Sequence, residues 1–290
     1  MRDEARSPED TRAAAALARF RPRNTPLTRA ITRAVVAACR WTMTRRNRLE
    51  VTGLEHLHSV RTREARGGRG LLTFSNHVSL FDDPLLVANF VGPGDDAEVR
   101  WVAADALNFF GDPLRGALFS AGRCVPVVRG WGESQPGMDF LRERLEDGDW
   151  VHLFPEGGRT REPGARLRRP FKGGIGRLLE ETRPVALGLC HHGMAEVMPI
   201  GARLPSGGHT VTVRFAAPVR CDDAFVQQLS PHGDDPVARA SALTDWAEAT
   251  LVALERQVRD AGPFPGVQGH GAGGDEVTGN PFAVPGTKRR

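Results

Sequence analysis

The segment Ser75-Asn76-His77-Val78-Ser79-Leu80-Phe81-Asp82-Asp83-Pro84 sets an imidazole shortly before a carboxylate. On one continuous helix, residues five apart diverge by about 140°, so His77 and Asp82 could not meet there. The local signals point to a different layout. An apolar run, Leu71–Ser75, stops just before His77, and Asp-Asp-Pro is a helix start, with Asp as cap and Pro in the first turn. A strand, a loop carrying His77 and a helix opening at Asp82 would let the loop fold the imidazole onto the carboxylate. Such a pair does acid–base chemistry. One ring nitrogen takes a proton from a substrate hydroxyl while the carboxylate fixes the tautomer and stabilises the imidazolium. By itself the spacing also suits a surface histidine beside a helix cap.

A second segment, Trp150-Val151-His152-Leu153-Phe154-Pro155-Glu156-Gly157-Gly158-Arg159-Thr160-Arg161, reads as a strand that Pro155 stops and glycines bend. Arg159, Arg161, Arg166, Arg168, Arg169 and Lys172 follow with one acid, Glu162, among them. Guanidinium forks bind phosphate in bidentate fashion, and Gly-rich backbone adds donors for an anion. The same run could be a solvated basic loop. Other signals are weaker. His191-His192 has no third ligand at metal spacing. Cys39, Cys124, Cys190 and Cys221 are far apart and read as buried free thiols in a reducing compartment. There is no Gly-x-Ser-x-Gly elbow, Walker loop or dinucleotide fingerprint.

These segments need elements to hold them. Apolar β-like runs lie at Leu71–Ser75, Val99–Ala103, Cys124–Val128, Trp150–Phe154, Val185–Leu189 and His209–Phe215. Helical patterns at Pro84–Phe90, Asp105–Leu118, Pro136–Glu146, Ile175–Glu181 and Val237–Arg259 alternate with them. The strands are apolar almost throughout, as strands buried on both faces are. The alternation predicts an α/β fold, a mostly parallel sheet flanked by helices, with His77 and Glu156 at strand carboxyl ends, where such folds place their sites.

Outside that domain, over residues 47–261, the chain divides further. Residues 1–24 read as a flexible basic arm and residues 262–290 as a disordered Gly/Pro-rich tail. Leu27, Ile31, Ala34, Val35, Ala38 and Trp41 recur at helical spacing with arginines on other faces. That makes 25–46 an amphipathic helix suited to a membrane surface. The first fifty residues hold twelve Arg and five acids, while the whole chain has a net charge of +4. A basic end on a slightly acidic body fits an anionic surface. No secretory signal and no membrane-spanning run of roughly twenty apolar residues is evident.

Asn76-His77-x4-Asp82 followed by Phe154-Pro155-Glu156-Gly157 resembles the glycerol-phosphate and lysophospholipid acyltransferase superfamily, and within it the tafazzin-like phospholipid–lysophospholipid transacylases. Arg123-Cys124-Val125-Pro126-Val127 with Arg129-Gly130 carries the likeness further. So do Gly137-Met138-Asp139-Phe140, Gly148-Asp149-Trp150, Phe171-Lys172 and His192-Gly193-Met194. It covers roughly residues 50–220 in order. The resemblance implies a glycerol-3-phosphate acyltransferase-like fold with His77 and Asp82 as the catalytic dyad. It makes Arg129 the basic residue of the second motif, and Glu156 and Gly157 the third motif, which holds the glycerol or phosphate end of the acceptor. Pro184 and Val185 fall where the fourth, acyl-side motif lies. One position departs: Arg159 stands where such transacylases usually lack an arginine and enzymes acylating lysophosphatidic acid carry one.

The expected reaction moves a fatty acyl group onto a lysophospholipid hydroxyl, with Arg159, together with Arg129 or Lys172, positioning phosphate. The donor stays open between a phospholipid and acyl-CoA or acyl-carrier protein, the latter making a 1-acylglycerol-3-phosphate O-acyltransferase. No metal or bound cofactor is implied. The expected partners are phospholipid, lysophospholipid and a membrane surface: the inner face of a bacterial inner membrane, or a mitochondrial membrane. A non-catalytic anionic-lipid or nucleic-acid binder would have no use for the His77/Asp82 pair. Without any Tyr, the chain also lacks the interleaved aromatics of a single-strand binder.

Overall fold

The computed structural model describes residues 8–22, 25–86, 90, 99–230 and 235–260. Helix α1 (Pro8–Ala18) and helix α2 (Pro26–Trp41) come first, and α2 runs on into a π-helical turn, Thr42–Arg46. Strand β1 (Arg48–Thr52) and helix α3 (Leu54–Val60) precede β2 (Leu71–Ser75) and the short α4 (Asp82–Leu85). Next come β3 (Trp101–Asp105), α5 (Ala106–Phe109), α6 (Pro113–Ala121), β4 (Cys124–Val127), α7 (Pro136–Glu146) and β5 (Trp150–Leu153). The chain continues through α8 (Gly174–Thr182), β6 (Val185–His192), α9 (Met194–Val197), β7 (Thr210–Phe215), β8 (Val219–Arg220), α10 (Asp223–Leu229) and α11 (Pro236–Asp260).

The strands form one sheet in the order β1-β7-β6-β2-β5-β3-β4, with β8 on the edge of β6. Pairing is parallel except where β7 and β8 meet β6. The central strand β2 pairs Leu71 with Trp150 on one side and Val185 on the other. All five of its residues are buried. Their side chains alternate across the pleat. Leu72 and Phe74 join a core with α7, α8 and α11, whereas Leu71 joins a second core with α2, α3, α4 and α9. This is the helix–sheet–helix layering that apolar strands demand.

Several expected boundaries move. Residues 8–18, read as part of a flexible arm, are helical. Ala13 and Ala16 are buried against Phe110 and Val128, because small side chains let this helix sit close to the body. The single helix expected over Asp105–Leu118 is two, since Asp112 caps a new start and Pro113 opens it. The strand expected from Val99 begins at Trp101. Of the helix expected over Pro84–Phe90, residues 87–89 lie outside the described residues, as do residues 1–7, 23–24 and the 262–290 tail. No described helix is long and apolar enough to cross a membrane.

Candidate active site

Strand β2 delivers His77 at its carboxyl end, and the turn into α4 brings Asp82 back beneath it. His77 Nδ1 lies 2.9 Å from Asp82 Oδ2. The same oxygen accepts from the backbone amides of Val78 at 2.7 Å and Ser79 at 2.8 Å. Asp82 is 0% exposed. Burial alone would raise its carboxyl. The neighbouring His191 and His77 and the donated hydrogen bonds outweigh that, and hold it below the ordinary carboxylate value. An ionised carboxylate only accepts, so Nδ1 carries the proton and Nε2 keeps the lone pair. Phe154 stacks on the ring with centroids 4.1 Å apart and planes 19° apart, fixing its tilt. The His77 side chain is 16% exposed, so the dyad reaches solvent through the imidazole.

The Phe-Pro-Glu-Gly segment follows β5, the neighbour of β2, and so arrives at the same edge. Glu156 turns inward. It is buried, and its two oxygens accept from the backbone amides of His77 and Arg168, both at 2.7 Å. Glu156 thereby braces the His77 loop against the basic loop. Burial pushes this carboxyl up to about 7. A second stitch runs from the Thr160 amide to the His77 carbonyl at 2.7 Å. Gly157 adopts φ +68, and a Cβ there would meet the Lys172 stem at 3.0 Å. Glycine therefore lets the lysine lie across the loop.

The cations converge beside the dyad. A Cβ on Gly158 would meet Arg129 Nη2 at 3.4 Å and Arg168 Nη2 at 3.5 Å. Burial, then Arg161 and Arg129, push the Arg159 guanidinium below its ordinary value, while Asp82 pulls the other way. Like charges at such range make a site that an anion would relieve. Arg129 is 61% exposed and tethered by its Nε to Asp105 at 2.9 Å. Lys172 is exposed. Pro184 and Val185 are not brought here. They stand at the amino end of β6, and the dyad at its carboxyl end, roughly 20 Å away at 3.3 Å per residue.

Three further residues brace the dyad in ways their spacing does not reveal. Asn76 Nδ2 donates to the His191 carbonyl and its Oδ1 accepts from the His191 amide, each at 2.9 Å, tying the ends of β2 and β6. The His191 ring lies buried behind Asp82. Asp83 holds Arg100 through both carboxylate oxygens, one contact being 2.6 Å, and so anchors the start of α4 to the approach to β3. The adjacent histidines His191 and His192 had shown no third ligand at metal spacing. Among the described residues no cluster of three His, Cys, Asp or Glu is placed to hold a metal.

Comparison with known proteins places the chain in a family. The model of the Acyltransferase family matches residues 48–201. N-acylphosphatidylethanolamine synthase of Arabidopsis thaliana is 37% identical over 136 residues, 46% of this chain and 47% of its own length. "Taffazin" of Dictyostelium discoideum is 30% identical over 211 residues, covering 69% of this chain and 70% of its own. Tafazzin of Drosophila melanogaster is 31% identical, covering 67% and 51%. The chain thus spans about half the length of the plant and fly relatives. The 1-acyl-sn-glycerophosphate acyltransferase PlsC of Thermotoga maritima shares the fold, with TM-score 0.52 and 18% identity over 82% of this chain and 81% of that one.

Proposed function

Because this chain belongs to the acyltransferase family, we propose that it catalyses phospholipid–lysophospholipid transacylation, with His77 as general base. The observation that carries the reading is the buried Asp82 carboxylate on Nδ1 of a half-sheltered imidazole, beside a cluster of guanidinium groups. His77 Nε2 takes the proton of the acceptor hydroxyl as its oxygen attacks the donor's ester carbonyl. The tetrahedral intermediate collapses, the donor's carbon–oxygen bond breaks, and His77 returns the proton to the departing lysolipid oxygen. Asp82 stabilises the imidazolium between these steps. Transfer is direct, with no acyl-enzyme, since among the described residues no serine or cysteine hydrogen-bonds a ring nitrogen of His77. The four cysteines are free, and burial raises the thiols of all four. Arg159 and Arg129 orient the acceptor phosphate, which contributes through positioning.

The protein works from the membrane surface. Leu27, Val35 and Trp41 of α2 are exposed, as are Leu80 on the His77 loop and Ile200 and Leu204 after α9. Ser79 Oγ donates to the Met198 carbonyl at 3.1 Å, which ties the last two patches together. These side chains would enter the interface while the arginines flanking α2 meet anionic headgroups.

Arg159 favours a second reading, acylation of lysophosphatidic acid from a thioester, because an Arg fork suits a phosphate monoester better than a diester. The experiment that separates the two supplies labelled phosphatidylcholine with a lysophospholipid, with and without acyl-CoA or acyl-carrier protein. Label reaching the acceptor without thioester supports transacylation. Strict dependence on thioester overturns it in favour of the second reading.

A further inference from the structure

The two oxygens of Asp82 have unlike surroundings. Oδ2 takes three donors, whereas Oδ1 is buried with no hydrogen-bond partner among the described residues. The polar group facing Oδ1 is the ring of His191, whose Nε2 stands 3.8 Å away. That nitrogen also lies 3.2 Å from the Asn76 carbonyl oxygen. A carbonyl only accepts, so this contact puts the His191 proton on Nε2. The N–H edge therefore points at the backbone of the residue before His77 and at the unpaired oxygen of its carboxylate. The ring itself is buried, and its Nδ1 has no partner among the described residues. Burial disfavours its charged form. A neutral ring brings a dipole to the carboxylate without a second positive charge beside the imidazolium.

Catalytic hydrogen bonds are often long without substrate and tighten when it binds. Closing the gap by less than about 1 Å would make Nε2–H a donor to Oδ1. We propose that His191 is a positioning residue for the acyl-transfer step: its Nε2–H holds the plane of Asp82 and moderates the charge that Asp82 presents to His77. This rests on the reading of His77 as general base. With the carboxylate fixed on both oxygens, His77 keeps one orientation through proton uptake and release. His191 thus takes a role in the dyad. Other ionisable groups around the dyad are His152 on β5, Glu156 and Arg159 on the loop after it, and His192 beside His191. None of them supplies a hydrogen bond to Oδ1.

The test uses the full chain and four variants: His191→Gln, His191→Asn, His191→Leu and His77→Ala. Gln reaches as far as Nε2 with an amide donor; Asn puts its amide near Nδ1, short of Oδ1; Leu fills the volume without a donor. Circular dichroism selects the folded variants, and kcat and KM for acyl transfer are followed from pH 5 to 9. The expected result is a fall in kcat of roughly 10–100-fold for Leu and Asn, the scale of one hydrogen bond to a charged group. KM for the lysophospholipid should stay within about twofold, and the acid limb should move to higher pH as His77 faces an unmoderated carboxylate. Gln should restore most of the rate and the limb. Should Leu not fold, the contrast of Gln with Asn carries the same decision. Equal rates and an unmoved limb in all three His191 variants would overturn the proposal, as would equal losses with the limb unmoved, which mean packing alone. An active, folded His77→Ala would instead overturn the base reading beneath it.

Discussion

A hydrogen bond to a buried carboxylate does two things for a base: it chooses the tautomer and it stabilises the charge that proton uptake creates. In the proposed reaction both tasks at His77 fall to Asp82 Oδ2, 2.9 Å from Nδ1. Asp82→Asn should therefore lower turnover by roughly 10²–10⁴-fold in a folded protein, because an amide cannot stabilise the imidazolium and favours the wrong tautomer. Turnover within a few-fold of wild type across pH 6–9 would reduce Asp82 to a helix cap. The cation cluster makes a separate prediction. Arg159 sits among like charges, with Asp82 the attractive partner. Arg159→Ala should thus raise KM for lysophosphatidic acid by roughly tenfold or more, and for lysophosphatidylcholine by little, the difference of one bidentate charge-assisted contact. Equal effects on the two acceptors would place the monoester elsewhere. The sequence made the His77/Asp82 pair and the basic loop legible, because a strand end, a helix start and a charge run are local signals. Glu156 was legible as a site residue but not in its direction. That its carboxylate turns inward to two backbone amides depends on the path of both loops. His191 was hidden behind Asn76, 115 positions earlier, which no spacing rule connects.

The elements that hold these residues are positioned by close contacts. Helix α8, which follows the basic loop, lies on α11 through Gly176, where a Cβ would stand 1.9 Å from the Ala240 carbonyl oxygen and 2.2 Å from Thr244 Oγ1. Gly176→Ala should force the helices apart and destabilise the protein by about 2–3 kcal/mol. Urea denaturation measures this, and a loss below about 1 kcal/mol would show that the contact yields. Helix α2 is the element proposed for the membrane. Its Cys39, and Met43 in the turn after it, are buried against the core that includes α4. Removing residues 1–46 would uncover that core, so surface substitutions are the cleaner probe. Leu27→Glu with Val35→Glu should leave the thermal midpoint unchanged and weaken binding to anionic vesicles by roughly tenfold or more. Unchanged sedimentation with vesicles would move the contact off α2. Strands β2, β5 and β6 were legible because strands buried on both faces read as continuous apolar runs. Edge strand β1 was not, since Arg48, Glu50 and Thr52 mark its polar face. Helix α1 reads as a polar arm, and the buried pair Ala13 and Ala16 is too small a stripe to mark it as packed.

At the scale of the whole molecule, the buried ionisable groups set how stability follows pH. Burial holds His152 well below its ordinary value of 6.5, and His191 below it as well. The unfolded chain therefore binds protons first, and stability from these two is present above 6.5 and lost as pH falls. Glu156 acts in the opposite sense. Its carboxyl is raised from 4.5 to about 7, so the folded state holds that proton longer and loses stability as pH rises between those values. Between pH 7 and pH 5 the two histidines therefore lower the thermal midpoint and the carboxyl opposes them. In Glu156→Gln, where the opposing group is gone, the midpoint should drop further between pH 7 and pH 5 than in wild type; a smaller drop would contradict the assignment. Parallel strand ends, stitched loops and the buried Asp83–Arg100 pair all serve to present one imidazole beside a cluster of cations. The direct test is the rate of acyl transfer from labelled phosphatidylcholine to lysophosphatidylcholine by wild type and by His77→Ala, both shown to be folded. The account predicts a loss of roughly 10²–10⁴-fold in the variant. Transfer by folded His77→Ala within about threefold of wild type would contradict it.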